Sequence, residues 1–313
     1  MKKTNKYLLM TGGILCAAGA LTFGIGVAAG GRNYVKQADL NKISGAASMD
    51  SEKNYAILDK TKIDAFSSVN IDLHNIDLDI KESDDHDFYL SYHLEKNDEN
   101  VPVSWKIENH VLDLAETDGH ASSSYIHIDI NFLQELLGHS NVVENANKVT
   151  LYLPKQINLD TFSCKMGLGD LNVDGLRAGQ TFINCNDGDM NILNSDLKEL
   201  ELKTDLGDLV MQNTSCTNSQ IDMSDGDIKA SNIVFRGNNK MTSSLGDITL
   251  GISEENLKDL SIQAETKLGD IKTRKSDKLG TITRNDDNVV LQSDGQNKNA
   301  LEIQSSDGDI TFR

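Results

Sequence analysis

The chain has 313 residues, with 48 Asp and Glu against 30 Lys and Arg for a formal charge of −18, and it holds 24 Gly but only 2 Pro and 5% aromatics. That length accommodates one large domain or two small ones, and a hydrophobic fraction of 38% excludes wholesale disorder. So acidic a chain repels phosphate backbones and anionic headgroups, which excludes nucleic acid and favours cations, cationic peptides or basic protein faces as partners.

Residues 1–36 contain Lys2, Lys3, Lys6, Arg32 and Lys36 and no acid, so the remainder carries −23. Residues 1–6 form a basic tail. Tyr7–Gly30 then runs without a charged side chain, and at about 1.5 Å per residue a helix of this length spans a ~30 Å hydrocarbon core with some tilt. The preceding lysines predict a single-pass anchor with its N-terminus in the cytoplasm and everything after about residue 31 outside. A cleaved secretory signal ending near Val27-Ala28-Ala29 is the alternative. Leu15 before Cys16 does not suit a lipidation box, and the one GxxxG, Gly26 to Gly30, fits an ordinary Gly/Ala-rich span. Residues 31–62, polar and rich in small side chains, read as a stalk.

Residues 63–148 alternate as short strands. FSSVNIDLHNIDLDIKES, DFYLSYHL and VSWKIENHVLDLAE each show period-two patterning, and Asn109-His110 reads as a hairpin turn. Residues 117–147 break the pattern. NFLQELLG places Phe132, Leu133, Leu136 and Leu137 at helical spacing before Gly138, which predicts a short amphipathic helix over an open core end or one sheet face, with a partner-docking face as the alternative. VTLYLPK, residues 149–155, is expected to open a regular array over 149–313.

That array is marked by seven Gly-Asp pairs: 169/170, 188/189, 207/208, 226/227, 246/247, 269/270 and 308/309. The glycines lie 19, 19, 19, 20, 23 and 39 residues apart, with a degenerate copy at Asp287-Asn288 filling the last interval. A fixed period of this size marks a stacked array. Two residues after each Gly come Leu171, Met190, Leu209, Ile228, Ile248, Ile271 and Ile310, and five before come Cys164, Ile183, Leu202, Ile221, Met241, Ala264 and Ile303. The degenerate copy offers Ile282, Val289 and Leu291. One repeat cannot bury such a face alone, whereas strands stacked ~4.8 Å apart can. The expected fold is therefore all-β, a parallel β-solenoid with about 19-residue coils behind an N-terminal transmembrane helix. Gly175, Asn194, Asn213 and Asn232 align six residues after each Gly, as a repeated left-handed corner requires. Ile76-Asp77 obeys the same rule without its glycine. The residue before each Gly runs Leu168, Asp187, Leu206, Asp225, Leu245, Leu268, with Asp286 and Asp307 beyond. Leucine and aspartate alternate at first and then lose their order.

The aspartates Asp170, Asp189, Asp208, Asp227, Asp247, Asp270 and Asp309 should form a column. Neighbouring carboxylates ~4.8 Å apart repel by about 0.9 kcal/mol in bulk water. Either each accepts a backbone N–H at its own turn, or the column binds cations; calcium needs six to eight oxygens, more than one Asp per coil supplies. The four cysteines show no metal-ligand spacing, and two of them, Cys164 among them, fall at core positions of the repeat. All seven histidines precede residue 140 without an HExxH pair, and no catalytic or nucleotide motif appears. No cofactor is implied. A regular column offers equivalent carboxylates, whereas acid–base catalysis needs two with separated pKa values, so a non-enzymatic protein is expected and a polysaccharide-active enzyme is the remote alternative.

At VTLYLPKQINLDTFSCKMGLGDLNVDGL the chain resembles the bacterial "putative adhesin" β-strand-repeat family, in its strand-Pro-Lys opening, its Gly-Asp-apolar units and its FSSVNIDLHNIDLDI strand pair. The resemblance covers about residues 63–313 and implies a β-solenoid on the bacterial surface, often linked to envelope stress, with no catalytic residues. Two functions are expected from residues and resemblance together: a scaffolding module in the envelope answering cationic peptides, cell-wall components or membrane proteins, or an adhesin for a host or cell-wall ligand.

Overall fold

The structure, a computed structural model, describes residues 55–96, 100–117, 147–274, 279–293 and 297–313. The expected anchor at 7–30 and the helix at NFLQELLG lie outside the described residues, among which no helix is long and apolar enough to cross a membrane.

Strand-forming patterns in the first half produce β1 (Tyr55–Ile63), β2 (Ser68–Leu73), β3 (Asp77–Glu82), β4 (Phe88–Glu95), β5 (Val103–Glu108), β6 (Val111–Glu116) and β7 (Lys148–Leu153). The repeats then contribute β8 (Leu159–Leu168), β9 (Leu171–Asp174), β10 (Arg177–Asp187), β11 (Met190–Leu193), β12 (Asp196–Lys198), β13 (Leu200–Leu206), β14 (Leu209–Gln212), β15 (Ser215–Thr217), β16 (Gln220–Asp225), β17 (Ile228–Arg236), β18 (Asn238–Leu245) and β19 (Ile248–Ile252). A single-turn helix, α1 (Glu254–Lys258), leads to β20 (Leu260–Leu268) and β21 (Ile271–Lys272). Then come β22 (Thr281–Arg284), β23 (Val289–Gln292), β24 (Asn299–Asp307) and β25 (Ile310–Phe312). Strand β1 occupies part of the segment expected to be a stalk.

Two long ladders carry the fold. Strands that follow the Gly-Asp corner pair in the order β1-β4-β7-β3-β9-β11-β14-β17-β19-β25-β21. Those that precede it pair as β5-β6-β2-β8-β10-β13-β16-β18-β24-β20-β23-β22. A third, short ladder joins the start of β10 to β12, β15 and the end of β17. Pairing is parallel and in register between repeats, and turns antiparallel at both ends of the second ladder and at the β1 end of the first. Alternation sends one side of every strand inward, and all the expected apolar positions two after and five before each Gly are buried. The left-handed corners also form: Gly175, Asn194, Asn213 and Asn232 have φ of 84°, 51°, 51° and 52°. The turn between β5 and β6 has φ of 51° at Asn109 and 63° at His110, the two-residue hairpin expected there.

The repeats do not stack in chain order. The last one, β24–β25, lies between the repeat of β18–β19 and that of β20–β21. The degenerate copy is not a repeat at all: β22 and β23 form an antiparallel hairpin that pairs with β20. Asp286-Asp287 stands where a corner needs glycine, so the chain reverses instead, closed by the Asn285 N–H to the Asn288 carbonyl at 2.9 Å. At the other end the first repeat, β2–β3, likewise lies inside, with β6 and β7 on its outer side. VTLYLPK thus supplies an outer strand rather than opening the array. Antiparallel hairpins close the second ladder at both ends, and short closed ends guard a parallel stack against edge-to-edge growth.

Candidate functional site

The Gly-Asp corners align along one edge. Each glycine has positive φ where a side chain is least tolerated, from 119° at Gly207 to 147° at Gly308, the exception being Gly269, and each packs on the corner before it. A Cβ on Gly226 would lie 2.0 Å from the Gly207 carbonyl oxygen. This close approach lets the aspartates reach one another's backbone.

The aspartate N–H of each repeat donates to Oδ1 of the neighbouring repeat's aspartate. Asp170 donates to Asp77 at 3.0 Å, Asp189 to Asp170 at 3.0 Å, Asp208 to Asp189 at 2.9 Å and Asp227 to Asp208 at 2.9 Å. Asp247 then donates to Asp227 at 2.9 Å, Asp309 to Asp247 at 2.8 Å and Asp270 to Asp309 at 2.8 Å. The last carboxylate, Asp270, accepts the Ile271 N–H at 2.8 Å. All seven expected aspartates therefore join one ladder, headed by Asp77. The acceptor role runs between repeats rather than within each turn. Each carboxylate receives a charge-assisted bond that offsets part of the repulsion from its neighbours.

The second carboxylate oxygens face outward. Lys229 Nζ bridges Asp208 Oδ2 at 3.2 Å and Asp227 Oδ2 at 3.1 Å, and Lys272 pairs with Asp309 Oδ2; Arg284 instead reaches Asp270 Oδ1, the oxygen that also accepts the Ile271 N–H, at 2.8 Å. Asp170, Asp189 and Asp247 have no ion pair among the described residues. Nor do the described residues contain a group of three or more His, Cys, Asp or Glu arranged to hold a metal ion. The carboxylates are equivalent acceptors, not an acid–base pair in a cleft.

The Asp247 N–H, with Lys229, lowers the Asp227 carboxyl, and Lys272, with the Asp270 N–H, lowers that of Asp309. Burial penalises the Asp79 carboxylate, but Lys81 at 2.8 Å and Lys148 at 3.4 Å outweigh it and hold its pKa below the usual value. Asp77 runs the other way, raised chiefly by burial. A depressed carboxyl contributes stability above its unfolded value and loses it as pH falls through the folded one. These three lowered groups, with Asp85 held down by the Tyr89 hydroxyl, outnumber the one raised and predict that the melting temperature falls below about pH 4. Removing charge alone should act oppositely at neutral pH. Asp189→Asn keeps the Oδ1 acceptor, relieves repulsion on both sides, and is expected to raise stability by about 0.5 kcal/mol in urea unfolding; a loss of stability would contradict the ladder.

Sequence order concealed two further features. Register partners along the edge run Leu168–Asp187–Leu206–Asp225–Leu245–Asp307–Leu268. The insertion of β24 thus restores a strict Leu/Asp alternation that fails in chain order. The leucines are 51%, 47%, 47% and 67% exposed, half of the large exposed hydrophobics among the described residues. Nearby, buried Asp79 heads an amide ladder, accepting from Asn172 Nδ2 at 3.1 Å, which in turn accepts from Asn191 at 3.0 Å. Cys164, Cys185 and Cys216 are buried free thiols; burial raises all three, Cys185 to about 11 and Cys216 to about 12, so they stay protonated and inert.

The sequence profile of the Toastrack DUF4097 family matches residues 66–313, which takes in every strand but β1 and the whole aspartate ladder from Asp77. The chain belongs to this family. No curated protein matches the chain. Among solved structures, the Toastrack DUF4097 chain is similar to a "putative cell adhesion protein" of Clostridium sporogenes ATCC 15579, at 11% identity over 82% of this chain and 97% of that one, with a TM-score of 0.37. It is also similar to a "putative adhesin" of Bacteroides fragilis NCTC 9343, at 15% identity over 84% and 98%, TM-score 0.47. A "putative lipid binding protein" of Parabacteroides distasonis ATCC 8503 matches at 14% identity over 85% and 99%, TM-score 0.41.

Proposed function

We propose that the chain is a non-enzymatic, adhesin-type binding module of the bacterial surface, held at the outer face of the cytoplasmic membrane by Tyr7–Gly30, whose repeats coil as a β-solenoid and whose ligand, a host or cell-wall component, is basic. The observation that carries this reading is the Gly-Asp edge: one continuous row of carboxylates whose second oxygens point outward, three of them without an ion pair among the described residues. A row of like charges held rigidly by backbone bonds is preorganised for an extended cationic partner and loses no side-chain freedom on binding. The same edge favours a second reading, in which the module answers cationic peptides during envelope stress.

Both readings are tested by presenting the purified full chain to cell-wall fractions, matrix proteins and glycan arrays at low and high salt. Retention on basic ligands should weaken steeply as the Debye length falls from about 10 Å to about 3 Å. It should drop further in the combined Asp170→Asn, Asp189→Asn and Asp247→Asn variant. Salt-independent retention, or retention unchanged in that variant, would remove the edge from the function.

A further inference from the structure

The alternation of leucine and aspartate exists only in space, because β24 enters between β18 and β20. An exposed leucine on every second repeat has no role in the core. Leu168, Leu206, Leu245 and Leu268 keep about half or more of their surface in water, and the aspartate between each pair is exposed as well. Beside them runs the unbroken aspartate ladder, so this edge is acidic with apolar points at a regular interval.

Such spacing selects its complement. Parallel strands lie about 4.8 Å apart, so successive leucines stand about 9.6 Å apart with a carboxylate midway. One α-helical turn rises about 5.4 Å, and residues seven apart are separated by about 10.5 Å. A helix laid along the edge therefore presents about one turn per repeat, and the three intervals between the four leucines accumulate a mismatch of about 3 Å, within reach of side-chain adjustment. An extended strand, with same-face residues about 6.8 Å apart, falls out of step at the first repeat. Charge decides the rest. A second copy would set one aspartate row against another, and an anionic lipid surface would be repelled, whereas a basic helix is attracted.

We propose, resting on the binding reading above, that the Leu/Asp edge is a docking surface for a cationic amphipathic helix with apolar residues seven apart and basic residues midway between them. The helix buries its apolar stripe on the four leucines while its cations meet Asp187, Asp225 and Asp307 and the adjoining ladder.

The probe is a labelled synthetic peptide of about 22 residues, the length that carries four leucines at every seventh position along the seven repeats, with lysine midway between them. Its binding to the full chain is followed by fluorescence anisotropy. The expected result is saturable binding that weakens at least tenfold in Leu206→Ser/Leu245→Ser, a variant whose melting temperature stays unchanged because both positions are exposed. A peptide of the same composition interrupted by a central proline should bind at least tenfold more weakly. Equal affinity for the Leu→Ser variant, or for the interrupted peptide, would overturn the proposal. If affinity is then lost only in the triple Asp→Asn variant, the edge still binds cations and the broader reading stands; if that variant also binds undiminished, both fall.

Discussion

Gly226→Ala is expected to destabilise the protein by more than about 4 kcal/mol, at the extreme of single substitutions. The φ of 135° at Gly226 belongs to a region that only glycine occupies comfortably, at a cost of about 1–3 kcal/mol for any other residue. The added Cβ would also meet the Gly207 carbonyl oxygen at 2.0 Å and its carbon at 2.7 Å, both backbone atoms that move only if the ladder opens. Relief therefore costs the Asp227-to-Asp208 bond and the register of both repeats. Gly251→Ala serves as the control. Its nearest neighbours, the Ala230 carbonyl oxygen and Ser231 Cα, stand 3.4 Å away, so a change within about 1 kcal/mol is expected. Urea unfolding of the two variants and the parent should separate them clearly. Equal stability for Gly226→Ala and Gly251→Ala would mean that the corners do not nest.

A larger effect is expected from removing the last repeat. Residues 299–313 place Leu301, Ile303, Ile310 and Phe312 in the core, each at most 4% exposed. At about 1.5–3 kcal/mol for each buried side chain, their own burial rivals the whole stability of a domain, about 5–15 kcal/mol. Because β24–β25 lie inside the stack, their loss also uncovers β18–β19 on one side and β20–β21 on the other. A chain ending at residue 298 should lose cooperative unfolding and be cut readily by protease between residues 253 and 298. In a stack built in chain order the same truncation would shorten the array and leave every earlier repeat protected.

The repeat itself was legible in the sequence because each residue type answers a local demand. Glycine marks the corner with positive φ, asparagine the left-handed turn, and alternate aliphatics the inward face. Those demands recur wherever the repeat recurs, so the core positions and corner column of the seven Gly-Asp repeats are found where the pattern places them, while the degenerate copy, which lacks the glycine, folds as a hairpin instead. The spatial order was not legible, because parallel strands of identical pattern are interchangeable and nothing local to β24 names its neighbours. One clue was present: leucine and aspartate alternate before the corner until Leu268 follows Leu245, and exchanging the last two repeats restores the alternation. The acceptor role of the aspartates escaped for a related reason. A carboxylate beside a glycine turn can cap its own loop or reach the next, and only the close approach of Gly188 to Gly169, where a Cβ would stand 2.2 Å from a carbonyl oxygen, decides in favour of the second.

The order of the repeats determines both the continuous carboxylate row and the leucine spacing, and engineered disulfides test it most directly. Leu245 and Asp307 are register partners on adjacent parallel strands, while Leu245 and Leu268 are separated by β24. Strands about 4.8 Å apart fall within the Cα separation a disulfide accepts, and twice that distance does not. Under mild oxidation of the full chain, Leu245→Cys/Asp307→Cys should cross-link rapidly in the native state, read by mass spectrometry of the bridged peptides, and Leu245→Cys/Leu268→Cys should not. Cross-linking of the second pair with the first remaining reduced would contradict the account.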